Sequence, residues 1–164
     1  MSNNATINNL NKALQMEMTA AHQYQLHAHV LDDWGLNLLA DKMREEQVEE
    51  IGHSDLYIER ILFLKGTPEI AFAKPPKRAK VLEEMFKADL ADEEEAIDFY
   101  LKAARQANEA NDVGSRMLFE KIAIDEEGHK AWLELQLELI NRLGEQAYSA
   151  KLVSFTQNNA AASE

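Results

Sequence analysis

The sequence predicts an all-α fold in which four long helices form two antiparallel hairpins joined by one long crossover, with a short fifth helix behind them. Three observations carry that reading. Apolar residues recur at helical spacing through nearly all of the 164 residues. Six Gly and three Pro are too few for the turns of an all-β chain. Finally, two of the three breaks in the pattern are short and one is long, which constrains how the helices connect.

The first segment carries Leu10, Leu14, Glu17, Ala21, Tyr24, Ala28 and Leu31 on one stripe and ends near Trp34-Gly35. A second, from about 36 to 64, aligns Leu39, Met43, Glu50, His53, Tyr57 and Ile61 until Gly66 and Pro68 stop it. A third, from about 80 to 109, aligns Leu82, Phe86, Glu93, Ile97, Tyr100 and Ala104. The fourth, from about 113 to 143, aligns Phe119, Ile122, Glu126, His129, Leu133 and Ile140. One domain is expected, with the bundle over about 5–143, a short helix over about 145–156 and a frayed tail over 157–164.

Tight turns at Gly35 and at Asn111-Asp112 make each helix pair an antiparallel hairpin. The link between hairpins, about 65–79, holds Gly66, Pro68, Pro75 and Pro76 and is not helical. Extended, such a link reaches about 50 Å, against about 42 Å for a helix of about 28 residues. It therefore spans the bundle and makes the second and third helices parallel, which is the ferritin-like arrangement.

Composition narrows the function classes. There is no Cys, which excludes disulfides, thiolate metal sites and cysteine nucleophiles and fits a reducing cytoplasm. No apolar run approaches the length of a membrane span, and the N-terminus has no basic or apolar leader region. A net charge of −12 disfavours nucleic acid as a partner, and the basic stretch from Lys74 to Lys80 is too small to reverse that.

Among 29 acidic residues, Glu17 is the only one before Asp32, and it sits on the apolar stripe. Burying a lone carboxylate costs several kcal/mol unless it is paired or binds a cation. His53 and His129 each follow a Glu by three residues, as Glu50-Ile51-Gly52-His53 and Glu126-Glu127-Gly128-His129, which puts carboxylate and imidazole on one helix face. Glu17 precedes Glu50 by 33 residues, and Glu93 precedes Glu126 by 33. Depth agrees, because Glu17 and His53 each lie 18 residues from Gly35 while Glu93 and His129 lie 19 and 17 from Asp112. A Glu from each of two helices plus Glu-x-x-His from the other two is the donor set of two-metal carboxylate bundles. Glu50 and Glu126 are the expected bridges, Glu17 and Glu93 the terminal carboxylates, and each His serves one metal. Two iron ions per chain are expected, with manganese or zinc as alternative occupants. A metal-free network of buried ion pairs lacks its cations, because no Lys or Arg falls on these stripes near that level.

With these residues in view, the chain resembles bacterioferritin over nearly its whole length. The likeness rests on the six residues above and on Asn11-Lys12-Ala13-Leu14, Gln23-Tyr24, Trp34-Gly35-Leu36, Asp125 to His129, and Tyr57 to Leu64 followed by Gly66 and Pro68. It implies a cage of 24 subunits that oxidises Fe²⁺ with O₂ or H₂O₂ and stores a ferric mineral. It also implies a haem held between two subunits by a methionine inside the first Glu-x-x-His motif. Here that position is Ile51, which has no donor atom, so haem is not expected. The family's inner-surface iron site, a His and an Asp, maps onto Glu45 and Glu49. A haem-binding paralogue in the same cage and a ferredoxin reductant are partners that the resemblance admits.

Among the aromatic residues, Tyr24 is the expected participant at the metals, two turns from Glu17 on the same stripe, whereas Tyr57, Trp34 and Trp132 are read as core packing. His22, His27 and His29 are read as surface residues. Two other functions compete with the storage ferroxidase: a di-iron oxidase or peroxidase without mineral storage, and a structural cage subunit.

Overall fold

The computed structural model describes residues 3–153. It contains α1 (Asn3–Asp33), α2 (Asn37–Phe63), α3 (Leu82–Glu109), α4 (Val113–Leu143) and the short α5 (Glu145–Ala150), with no strand among the described residues. The fifth helix closes at Ala150, earlier than the pattern suggested, and the expected tail at 157–164 lies outside the described residues. α1 lies against α2 and α3, and α4 against α3 and α2, so the two hairpins face each other as a four-helix square.

The apolar stripes divide into two clusters. One gathers Leu31, Leu39, Met43, Leu82, Phe86 and Leu133 near the Gly35 turn and α5, where Tyr148 packs edge-on against Phe86. The other gathers Leu10, Leu14, Tyr57, Ile61, Tyr100 and Phe119 toward the Asn111 turn. Between them, at mid-height, lie buried polar side chains from all four long helices: Glu17, Glu50, His53, Glu93, Glu126 and His129.

The crossover, residues 64–81, is held along α1 by a polar stripe with one rung per turn, Asn11, Gln15, Thr19 and Gln23. Asn11 donates to Thr67 O at 3.0 Å and accepts from Glu69 N at 2.9 Å. The Ala73 amide donates to Thr19 Oγ1 at 2.9 Å, and the Gln23 amide exchanges two 2.8 Å hydrogen bonds with the Lys77 backbone. The next rung is His27. The sequence reading placed it on the surface, but it is 1% exposed. Gln23 Nε2 donates to His27 Nε2 at 2.6 Å, so Nδ1 carries the proton and donates to Asp89 Oδ2 of α3 at 3.0 Å. The polar face of α1 is polar because the strap lies on it, and His27 at the end of that face is satisfied by Gln23 and Asp89. His29 is exposed as expected, and His22 is half-buried against Phe72.

Gly35 turns the first hairpin at φ +77, and Asn111 turns the second at φ +57, a conformation Asn tolerates. At the end of α2 the left-handed residue is Lys65, not Gly66. Gly66 is required for space, since a Cβ there would meet Ile7 Cγ2 at 2.8 Å. Asp112 caps α4 by accepting from Ser115 N at 3.0 Å and Ser115 Oγ at 2.8 Å, and it also pairs with Arg60 of α2. The Arg60 guanidinium is thereby locked across the hairpin turn, and its attraction helps hold the Asp112 carboxyl below the usual range despite partial burial. Asp112→Ala should lower stability by about 1–2 kcal/mol, measured as a fall in the thermal midpoint. Asp112→Asn, which keeps the cap but not the charge, should recover part of that loss.

Candidate metal centre

Each of the six buried polar side chains points inward because its helix places it on the apolar stripe, one or two turns from large core residues. The structure gathers them into two groups of four, each with donor atoms within 4.8 Å of one another. One group is Glu17, Glu50, His53 and Glu126, and the other is Glu50, Glu93, Glu126 and His129. Glu50 and Glu126 belong to both. His53 Nδ1 lies 3.4 Å from Glu17 Oε2, 3.4 Å from Glu50 Oε2 and 3.3 Å from Glu126 Oε1. His129 Nδ1 lies 3.1 Å from Glu50 Oε1, 2.9 Å from Glu126 Oε2 and 3.8 Å from Glu93 Oε1. The two rings face each other with centroids 6.4 Å apart.

The four carboxylates are each 5% exposed or less, with no Lys or Arg within ion-pair distance of them among the described residues. Burial pushes the Glu17 carboxyl well up, reinforced by the negative Glu50 beside it. Burial raises Glu93 too, with Glu50 and Glu126 adding to it against the opposing pull of His129. For His53 burial acts downward, but Glu126, Glu17 and Glu50 prevail and push it up to about 12. His129 is raised for the same reason by Glu126, Glu46, Glu50 and Glu93. Without a metal, the protein must therefore keep protons in the centre to offset its negative charge. Even so, Glu17 Oε2, Glu50 Oε1 and Glu126 Oε2 are buried with no hydrogen-bond partner among the described residues. Oxygen and imidazole donors left open inside a protein, in two overlapping sets of four, suit two divalent cations of the first transition row.

Two tyrosines fix the outer carboxylates. Tyr24 of α1 donates to Glu93 Oε1 of α3 at 2.5 Å, and Tyr100 of α3 donates to Glu17 Oε1 of α1. Each Tyr follows its own helix's Glu by seven residues, so the pair is reciprocal across two antiparallel helices. Burial raises both phenols well above their usual value, with Glu93 acting next on Tyr24 and Glu17 on Tyr100, so both hydroxyls stay protonated as donors. The sequence reading singles out Tyr24 and places Tyr100 on the third stripe without a role, although the repeated Glu-x₆-Tyr spacing marks both. Tyr57 packs between the Tyr100 and Phe119 rings, and Trp132 stands edge-on to Phe86.

The far nitrogens of the two histidines face a further ring of acids. His129 Nε2 lies 2.8 Å from Glu46 Oε2 and 3.4 Å from Glu49 Oε2, while His53 Nε2 lies 3.4 Å from Asp125 Oδ2. Glu49 joins both outer groups that could hold a cation, whereas Glu45 is exposed and joins none among the described residues. Its neighbour Glu46 is buried and faces His129, a contact the sequence reading does not anticipate. Burial works against its charge, but His129 and the Lys42 ammonium overcome that and lower its pKa. A carboxylate on the outer nitrogen of a metal-binding imidazole fixes ring orientation and raises donor strength. Glu46→Ala should weaken metal binding about 10- to 100-fold with helix content unchanged, read by competitive titration with Co²⁺ or Zn²⁺; an unchanged affinity would show that Glu46 does not orient His129.

A Ferritin-like domain model matches residues 7–143. The chain is 42% identical over 140 residues to the bacterioferritin of Rhodobacter capsulatus, covering 85% of this chain and 87% of that one. It is 41% identical over 145 residues to the bacterioferritin of Mycolicibacterium paratuberculosis, covering 88% and 91%. Among solved structures, R. capsulatus bacterioferritin, described with a metal-free dinuclear site and a haem iron, superposes with a TM-score of 0.90 at 40% identity over 98% of this chain and all of that one. Mycobacterium tuberculosis BfrA gives 0.90 at 38% identity, covering 94% and 97%. The helix order, the long crossover and this breadth of likeness place the chain in the bacterioferritin family of ferritin-like proteins.

Proposed function

We propose that this chain is an iron-storage ferroxidase, which oxidises Fe²⁺ with O₂ or peroxide at a two-metal centre and stores the ferric product in a cage built from its own copies. The observation that carries this reading is the pair of four-residue groups sharing Glu50 and Glu126, since shared carboxylates hold two cations close enough to act together. Glu17 with His53 would serve one Fe²⁺, and Glu93 with His129 the other. Paired iron supplies two electrons at once, enough to take O₂ to hydrogen peroxide with two protons, or peroxide to water. The chain's own contribution is positional and electrostatic. Tyr24 and Tyr100 hold the outer carboxylates in place, Glu46 and Asp125 aim the imidazoles, and the protons held on the acids and histidines leave as the cations arrive.

Assembly into a cage of 24 is supported by the breadth of the family likeness and by apolar side chains exposed on α2, namely Val48, Ile51, Leu62 and Phe63. No helix of the structure is long and apolar enough to cross a membrane, and we place the protein in the cytoplasm. Ile51 is partly exposed on that same face and offers a hydrocarbon surface where haem would need a sulfur donor, so we propose a cage without haem on this chain's own residues.

Glu17→Ala and His129→Ala should each abolish fast aerobic oxidation of Fe²⁺, followed by ferric absorbance, with helicity by circular dichroism unchanged. Oxidation kinetics equal to those of the parent would refute the assignment. The native particle should weigh several hundred kilodaltons by light scattering. A monomer or dimer that still oxidised Fe²⁺ would favour a di-iron oxidase without storage. The purified protein should show no haem Soret band, and one haem for every two subunits would overturn the reading of Ile51.

A further inference from the structure

A cavity of about 560 Å³, counting its open side, runs from the surface between α1 and α3 down to the centre. Its floor is Glu17, Glu50, Glu93 and Glu126. Its mouth is formed by Asp92 and Glu95 of α3 and by Lys74 of the crossover. Three of the four floor residues, Glu17, Glu50 and Glu126, each keep one buried oxygen without a hydrogen-bond partner among the described residues, so the passage ends on groups that attract a cation. Across the mouth the Lys74 ammonium pairs with Asp92 and lies 4.0 Å from Glu95. Side chains at this rim are half-exposed and free to move, but the Lys74 backbone is not, because the adjoining Ala73 amide is fixed to Thr19 of α1.

A lysine is an odd residue to place over a passage for cations. A solvated positive charge at a narrow opening repels a second positive charge and occupies the carboxylates that would otherwise take it. Exchange is nonetheless easy, because an exposed ion pair is worth little in water and a divalent cation binds two carboxylates more strongly than one ammonium does.

We propose that Asp92 and Glu95 form an outer transfer site for divalent cations, and that Lys74 is its displaceable occupant, setting how fast cations reach the buried centre. The inference rests on the two-metal reading of that centre. Lys74 regulates arrival and leaves the affinity of the deep site alone, because it touches none of the buried carboxylates.

Co²⁺ tests this without any oxidation step. Its visible absorption on binding carboxylate and imidazole donors is followed by stopped flow in the assembled protein at low ionic strength. Lys74→Gln should raise the rate of Co²⁺ arrival about fivefold, with the final absorbance and equilibrium affinity unchanged. Lys74→Arg should stay near the parent rate, and Asp92→Asn with Glu95→Gln should slow arrival. Raising the salt to shorten the Debye length should shrink these differences. Equal rates in Lys74→Gln and parent would overturn the proposal. So would an equal acceleration by Lys65→Gln, an exposed cation away from the mouth, since that would make the effect one of overall charge. If no Co²⁺ absorption developed in any variant, the two-metal reading itself would fall, and this inference with it.

Discussion

Four carboxylates at mid-height of a helical bundle, with no Lys or Arg among them, are an arrangement that apolar packing alone would never select. Each buried charge costs several kcal/mol against water unless a cation or a full set of donors compensates it. Here compensation comes from two histidines, two tyrosines and retained protons, and it is incomplete, since three of the glutamates keep a buried oxygen with no hydrogen-bond partner. The rest of the fold can be understood as what tolerates this layer. The apolar clusters on either side of it, around Phe86 and around Phe119, supply burial that a single continuous core would supply more simply. A polar layer between them also rejects any slip of one helix along another. Moving α1 by one turn would take Glu17 away from Tyr100 and bury it against Leu or Met.

The layer has an approximate twofold logic. α1 and α3 each contribute a Glu and, seven residues on, a Tyr that reaches back to the other helix's Glu. α2 and α4 each contribute Glu and His at i and i+3. The outer shell breaks the symmetry. His129 faces the buried Glu46 and half-exposed Glu49, whereas His53 faces Asp125 at a longer distance. Glu46 is in turn tied to Lys42 one turn earlier, so the carboxylate behind His129 is braced where the one behind His53 is paired with the exposed Lys121. The two proposed metal positions are alike in donor type but differ in how firmly their imidazoles are held, and on that proposal the two cations would bind with unequal affinity.

Much of this was legible in the sequence because helices convert spacing into position. The two intervals of 33 and the matched distances from Gly35 and Asp112 were enough to place six side chains at one level, and the structure gathers all six. Periodicity failed where burial was not apolar. His27 looked like a surface residue because Asn11, Gln15, Thr19 and Gln23 mark its face as polar, yet that face is covered by backbone and not by water. Glu46 was missed for a related reason. In the acid-rich stretch from Glu45 to Glu50 one residue's step, about 100° around the helix, separates the exposed Glu45 from the buried Glu46, which falls on the α2 stripe three residues after Met43 and four before Glu50. Asp89 is legible only through His27, its partner from 62 residues away.

The crossover shapes the polar layer as well as connecting the hairpins. Its length makes α2 and α3 parallel and so brings Glu50 and Glu93 into the same layer from diagonal corners of the square. Its attachment to α1 is polar because a strap has amides to satisfy at every turn, and a helix surface can meet that need only with side chains spaced by four. Thr19 therefore does two things at once. It holds the Ala73 amide, and by doing so it fixes the start of the Lys74 side chain over the gap between α1 and α3. Access to the buried carboxylates is in this sense decided by topology. The segment that solves the connection problem also roofs the cavity that leads to the centre, so on the proposed outer site a change that loosens the strap from α1 would alter how fast cations arrive without touching a residue of the centre itself.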